Sequence, residues 1–167
     1  RLVADGRSAI ALRWKAVTSD LYSDFLSVLS GAAEPLVPFL HYVRECTSTN
    51  DRLLYIGYQP EVYVVAGRGF GGGHMMFLGR FHSLPDEQAL TVRRLASQQV
   101  PFVLIPAEMH DDFPRVFPQV WQYVNRQYVP FTSVDVDGRP LAILVQASRI
   151  AGRQAEREWP CPLSPPT

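Results

Sequence analysis

The residues with the clearest chemical potential lie in one stretch, residues 53–82, which holds the glycine cluster and two of the four histidines. Carboxylate, guanidinium and imidazole groups in such a stretch can bind polar ligands or pair with one another. If the chain has a recognition surface, the sequence points here first. Its candidate ligand-binding residues are Glu61, Arg68, His74, Arg80 and His82.

The glycine cluster formally matches a dinucleotide-binding fingerprint, because residues 67–72 fit the pattern G-x-G-x-x-G. That fingerprint requires a strand feeding a tight turn and a helix whose N-terminus holds the pyrophosphate. Residues 74–78 open no obvious helix, and the match comes well after the first strand pattern. The context therefore favours a glycine-rich loop that needs positive φ angles or close packing.

The histidines do not predict a metal site. A site at His74 and His82 would need a third ligand at suitable spacing. The other group of this kind is His110 with Asp111 and Asp112, and nothing in the sequence places it nearby. We therefore expect histidines that brace a loop or face solvent, and no metal or other cofactor.

The remaining polar residues give no catalytic assignment. Glu61 and Arg68 are predicted to form an ion pair that braces a short helix, with binding of a polar ligand as the alternative. The chain has no G-x-S-x-G nucleophile motif, and neither cysteine sits in a recognisable catalytic context. We assign no catalytic residue.

Composition and charge exclude several classes. The chain has 167 residues, enough for one domain, and its 16 basic and 16 acidic residues cancel. Nothing therefore predicts a nucleic-acid partner. No apolar run approaches the ~20 residues that span a bilayer.

Cys46 and Cys161 are either two buried thiols or one disulfide, because spacing alone cannot show proximity. The chain begins with Arg1, so we expect a fragment or a mature product.

Hydrophobic periodicity predicts alternating helices and strands. Expected helices cover residues 18–31, 35–46, 60–67, 86–99 and 113–128, the last kinked or divided at Pro118. Expected strands cover residues 52–56, 75–78, 101–105, 131–136 and 141–146, the last two joined by a hairpin turn at Asp137-Gly138.

This order predicts an α/β fold with a mixed, largely parallel central sheet flanked by helices and a closing β-hairpin, a Rossmann-like layered sandwich. We expect residues 1–167 to form a single domain, with a connecting segment over 1–17, a core over 18–149 and a Pro-rich surface tail over 150–167.

Several phrases together resemble one family. They are HYVRECT at 41–47, DRLL at 51–54, QPEVY at 59–63, AGR at 66–68, GGH at 72–74 with Phe77, Gln88 with Arg93, Arg94 and Leu95, VPFV at 100–103, and WPC at 159–161. This set is similar to the C-terminal soluble domain of bacterial integral-membrane glycosyltransferases of the GT-C type, related to protein mannosyltransferases and lipid aminoarabinose transferases. The resemblance covers residues 35–161.

The resemblance implies a non-catalytic domain attached to a polytopic membrane enzyme that uses a polyprenyl-phosphate sugar as donor. The family's catalytic acidic residue lies in the membrane part, which this chain does not contain. The domain would face the periplasm or cell exterior, membrane-attached through an upstream region, and would recognise the acceptor or cover the active site. Its expected partners are the transmembrane portion of the same protein and a glycan or lipid-linked sugar. That compartment favours a Cys46–Cys161 disulfide.

Two alternatives remain open at this point. One is a free-standing small α/β ligand-binding protein or enzyme that uses the glycine loop, residues 67–73. The other is a structural interaction module without a ligand. An upstream reading frame with many hydrophobic segments would favour the membrane-attached domain over both.

Overall fold

A computed structural model describes residues 34–79 and 82–150 of the chain. The strands are β1 (Arg52–Tyr55), β2 (Gly69–Phe70), β3 (Phe102–Pro106), β4 (Tyr128–Val136) and β5 (Arg139–Gln146). They form one five-stranded sheet in the order β2-β1-β3-β5-β4. Strand β1 pairs in parallel with β2 and β3, whereas β5 pairs antiparallel with β3 and β4. The predicted mixed α/β sheet with a closing hairpin is confirmed.

The helices are α1 (Val37–Cys46), α2 (Glu61–Ala66), α3 (Pro85–Ser97), α4 (Met109–Val116), α5 (Pro118–Gln127) and α6 (Ala147–Ile150), with short 3-10 turns at Glu34–Leu36 and Gly71–Gly73. Prolines begin α3 and α5 because the first helical N–H has no partner inside the helix and its loss costs little. Pro118 therefore divides the helix expected over residues 113–128 into α4 and α5, which confirms the predicted interruption.

The core lies on both faces of the two central strands, because successive side chains of a strand point to opposite sides. Leu54 of β1 and Val103 of β3 belong to a buried cluster with residues of α3, α4 and α5. On the other face, the Phe102 ring meets that of Phe39 on α1 edge-on, with centroids 5.3 Å apart. The sheet is thus the middle layer of a sandwich.

The closing hairpin turns on the residues that the sequence predicts. Asp137 and Gly138 have φ angles of 53° and 74°, the left-handed pair that a two-residue turn needs to match the twist of its strands. The amide of Gly138 donates to the Asp135 carboxylate over 2.8 Å. The turn fixes the register of β4 against β5 and keeps β5 beside β3.

One predicted strand is wrong. Residues 75–78 lie outside the sheet, and β1 is paired instead with Gly69–Phe70. The 3-10 turn at Gly71–Gly73 ends this pairing, and beyond it the amide of Phe77 donates to the carbonyl of Gly57 over 3.2 Å. The segment therefore follows the end of β1 without forming a strand.

The helix expected over residues 60–67, whose β-branched content also suits a strand, is confirmed as α2. The described residues from Pro35 onward lie in one compact unit. The helix expected over residues 18–31, the connecting segment 1–17 and the tail beyond residue 150 fall outside the described ranges, so the single-domain prediction stays a prediction. No helix within the described ranges is long and apolar enough to cross a membrane.

Candidate functional site

The topology marks one edge of the sheet as a place for a ligand. The chain leaving β1 forms α2, which packs with α1, whereas the chain leaving β3 forms α4 on the opposite face. The two connections therefore diverge at the carboxyl ends of adjacent parallel strands. In open α/β sheets this divergence leaves a crevice in which ligands bind. We call the residues at this point, Tyr55, Tyr58, Gln59, Glu61 and Glu108, the carboxyl-edge site.

A hydrogen bond across the loop after β1 orients the polar groups of the site. The buried hydroxyl of Tyr55 donates to Oε1 of Gln59 over 2.8 Å. Burial raises the pKa of the Tyr55 phenol, and the negative charges of Glu108 and Glu61 raise it further, so the phenol stays neutral and remains a donor. Because Oε1 of Gln59 accepts this bond, its amide nitrogen is left as the donor for other groups.

Close packing of the backbone fixes the same loop. A Cβ atom at Gly57 would lie 2.7 Å from Cε1 of Tyr55, so only glycine fits beneath the ring. The backbone amide of Tyr55 donates to the hydroxyl of Tyr63 on α2 over 3.2 Å. Burial raises the pKa of Tyr63 to about 12, so this hydroxyl is also neutral. The strand end and α2 are thus joined through two tyrosines.

Glu61 carries an unpartnered carboxylate oxygen. Its Oε2 atom is buried and has no hydrogen-bond partner among the described residues. A buried polar atom without a partner costs free energy, and folded proteins satisfy most such atoms. Glu61 lies in the first turn of α2, beside the loop that holds Gln59. This oxygen is the acceptor in the site that a ligand donor could satisfy.

The rim of the site combines an aromatic ring with a second carboxylate. Tyr58, in the loop between β1 and α2, is 64% exposed. Glu108 is exposed and precedes α4, at the end of β3. Both Glu61 and Glu108 act electrostatically on Tyr55, which places the two carboxylates around the same phenol. The site therefore offers hydrogen-bond acceptors, one amide donor and an exposed ring.

Arg68 serves the end of a helix. Its guanidinium donates to Oγ1 and the backbone oxygen of Thr47, both over 2.7 Å, and to the carbonyl of Arg44 over 2.7 Å. These groups close the C-terminus of α1, where carbonyls lack partners within the helix. Burial lowers the pKa of Arg68, and the carboxylate of Asp51 opposes that shift. The predicted ion pair with Glu61 is wrong, because Arg68 is engaged by Thr47 and backbone carbonyls.

The structure brings His74 and His82 together. Their ring centroids lie 4.0 Å apart, and Nε2 of His74 lies 2.8 Å from Oγ1 of Thr91 on α3. His82 faces the carboxylate of Glu87 at 3.7 Å. The fifth candidate, Arg80, lies outside the described residues. The described candidates thus lie in three separate places. Glu61 lies at the carboxyl-edge site, Arg68 at the C-terminus of α1 and the two histidines beside α3.

The glycine cluster packs against α3. The amide of Gly72 donates to Oε1 of Gln98 over 2.9 Å, and a Cβ atom there would lie 3.0 Å from Cγ2 of Thr91. Gly72 has a φ of 72°, which favours glycine. The prediction of a loop that needs positive φ or close packing is confirmed, and Gly72 shows both.

The predicted disulfide stays a prediction. Cys46 is buried at the end of α1, and Cys161 lies outside the described residues. In the ranges 34–79 and 82–150, no three or more His, Cys, Asp or Glu side chains are grouped so that they could hold a metal ion.

Sequence reasoning missed most of the carboxyl-edge site. Tyr55, Gln59 and Glu108 follow or end the two strands that hydrophobic runs predict, so the rule of ligands at strand carboxyl ends was a usable signal. A second missed feature is the ion pair between the almost fully buried Asp51 and Arg149, at 3.1 Å. No sequence signal joins residues so far apart in the chain.

Together the fold and site define a class of protein, a mixed α/β sandwich with a polar, partly acidic carboxyl-edge site. Comparison of the chain with models of protein families, with curated proteins and with solved structures finds no match. The resemblance to membrane glycosyltransferases therefore rests on the sequence phrases alone.

Proposed function

We propose that this chain is a non-catalytic recognition domain that binds the hydroxyl groups of a glycan at its carboxyl-edge site. The observation that carries the proposal is the buried, unpartnered Oε2 of Glu61 at the point where the chains leaving β1 and β3 diverge. A sugar hydroxyl is a small donor that can reach such an acceptor. The amide nitrogen of Gln59 would donate to another ligand oxygen, and the exposed ring of Tyr58 would cover an apolar sugar face.

The charge of the site favours a sugar over a phosphate. Glu61 and Glu108 both place negative charge around Tyr55. Carboxylates repel a phosphate of the same sign. The N–H groups of Arg68 that could bind a phosphate are engaged by Thr47 and helix carbonyls. Of the two expected ligands, a glycan acceptor therefore fits this site better than the phosphate end of a lipid-linked donor.

In line with the sequence resemblance, the domain would belong to a polytopic membrane glycosyltransferase that uses a polyprenyl-phosphate sugar. It would face the extracytoplasmic side and present the acceptor to the membrane part of the same protein. The catalytic carboxylate would lie in that membrane part. The full reading frame tests this setting, since a soluble leader in place of membrane segments would exclude it.

The binding experiment titrates the isotope-labelled chain with a panel of neutral oligosaccharides. Binding is measured by calorimetry and by the NMR chemical shifts of the backbone amides. We expect ligand-dependent shifts at residues 57–59, 61 and 107–109, and loss of binding in Glu61→Gln. Glu45→Gln changes an exposed carboxylate on α1 and should bind like wild type. Shifts at residues 71–74 in their place would favour the glycine-loop alternative. No binding to any probe would leave the structural module.

A further inference from the structure

The contact between His74 and His82 can hold one added proton more easily than two. The rings are 34° from parallel with centroids 4.0 Å apart, so two imidazolium ions would repel each other at close range. Nδ1 of His82 has the carboxylate of Glu87 at 3.7 Å. His74 instead binds the hydroxyl of Thr91, which offers no negative charge.

The hydrogen bonds fix which nitrogen of His74 carries the proton. Oγ1 of Thr91 donates its one hydrogen to the backbone oxygen of Glu87 over 2.9 Å. It can therefore only accept from Nε2 of His74, so Nδ1 is the nitrogen that takes up a second proton. Among the described residues, the charged groups that act on His74 are His82 and Arg94, which disfavour protonation, and Glu87, which favours it. Burial is the largest of the effects on this side chain, and it lowers the pKa of His74.

The histidine contact is connected to the carboxyl-edge site through Phe77. The His74 ring meets Phe77 with centroids 5.9 Å apart, and Phe77 is buried against Phe113 at 5.1 Å. The amide of Phe77 donates to the carbonyl of Gly57 over 3.2 Å. Gly57 begins the loop that carries Tyr58 and Gln59. The contacts between the histidines and the site thus run through one buried residue, Phe77.

We propose that His74 and His82 form a proton-sensitive contact, which separates when both rings are protonated and releases the hydrogen bond from Phe77 to Gly57. Separation frees the loop after β1, so the carboxyl-edge site is ordered at neutral pH and loosened in acid. The consequence for ligand binding rests on the proposed function. The structural part does not, because it concerns hydrogen bonds within the free protein.

Amide hydrogen exchange of Phe77 tests the contact without a ligand. We expect its protection factor, corrected for intrinsic exchange, to fall about tenfold or more between pH 7 and pH 5 in wild type. His74→Gln keeps a donor toward Thr91 but does not titrate, and it should remove this dependence. His82→Gln, which removes the facing charge, should do the same. His110→Gln changes an exposed histidine on α4 and should behave like wild type.

Two results would overturn the contact: a Phe77 protection factor that does not change with pH, or an equal fall in His74→Gln and wild type. A global transition is separated by following Ile143 in β5, whose protection should fall by less than that of Phe77. Binding of the oligosaccharide found at neutral pH is then measured at pH 5. If Phe77 responds and no oligosaccharide binds at any pH, the proposed function fails and the contact stands.

Discussion

The hydroxyl of Tyr55 donates to Oε1 of Gln59 over 2.8 Å, and this bond orients the polar end of the loop that follows the central strand. Tyr55 itself ends β1, and burial together with two nearby carboxylates keeps its phenol neutral. The same carboxylates line the carboxyl-edge site. Tyr55, the last residue of the strand, thus also leaves the amide nitrogen of Gln59 as a hydrogen-bond donor in the site.

Tyr55→Phe should leave the fold intact and weaken glycan binding. The substitution keeps the buried ring and removes the donor, so the Gln59 amide loses its fixed orientation. We expect about 1 kcal/mol lower stability and about tenfold weaker binding, the usual scale for one hydrogen bond. Urea denaturation and calorimetry measure the two effects. Tyr123→Phe on α5 is the control, and equal binding by both variants would remove Tyr55 from the site.

Arg68→Met should destabilise the protein without changing ligand affinity in the folded fraction. The variant leaves the carbonyls of Arg44 and Thr47 without the buried donor that now satisfies them. Several lost bonds at a helix end predict about 3 kcal/mol, read from the urea midpoint. The exposed Arg126→Met should cost less than about 0.5 kcal/mol. A stable Arg68→Met that fails to bind glycan would restore Arg68 as a ligand residue.

Gly72→Ala tests whether the glycine loop is needed for packing. A Cβ atom there would lie 3.0 Å from Thr91 and 3.4 Å from Leu95, at a φ of 72° that disfavours side chains. We expect a loss of about 2 kcal/mol in thermal or urea unfolding. Gly79→Ala is a matched control, since a Cβ atom there meets one atom, Cγ1 of Val116, at 3.8 Å. Equal stability of the two variants would contradict the packing role.

The sequence predicts elements well where local pattern and local chemistry agree. Asp137-Gly138 supplies the two positive φ angles of its turn within two adjacent residues. Pro118 divides α4 from α5 through its own missing N–H and ring. For Gly69–Phe70, by contrast, the strand is only two residues long and exposed, so no hydrophobic period marks it. Its existence depends on pairing with β1, which is a tertiary contact.

The candidate site could likewise be predicted from the sequence only in part. The side chain of Glu61 could be singled out from its place at the start of a short helix. The partner of Arg68 could not, because the carbonyls that it satisfies belong to a helix more than 20 residues earlier, with Thr47 at a separation of 21. Proximity to Glu61 in sequence suggested the wrong pairing. Local sequence pattern does not show contacts that form only when two helices pack against each other.

Arg149→Met should be among the more destabilising single changes at the amino edge of the sheet. It removes the partner of Asp51, whose side chain is 2% exposed and otherwise accepts from the amide of Ser48 over 3.0 Å. An unpaired buried carboxylate predicts a loss of about 3 kcal/mol in urea unfolding. Arg115→Met breaks the exposed pair with Asp112 and should cost less than about 0.5 kcal/mol.

A double variant separates the interaction between Asp51 and Arg149 from the cost of burying an unpaired carboxylate. Adding Asp51→Asn to Arg149→Met removes the unpaired charge while leaving an oxygen that can accept from Ser48. We expect the double variant to be more stable than Arg149→Met alone, which is the non-additivity of a buried charge pair. Additive losses would show that Asp51 and Arg149 contribute independently.

Stability should decline in acid because of His74. Burial and the charges of His82 and Arg94 lower its pKa in the folded state below the ordinary 6.5. As pH falls through about 6.5, the unfolded chain takes up a proton that the folded chain does not, so unfolding becomes more favourable. The decline stops once the folded state is also protonated. In His74→Gln this contribution is absent, so the gap between the two urea midpoints should change between pH 7.5 and pH 5, with wild type losing more. A constant gap would show that His74 titrates equally in the folded and unfolded chains.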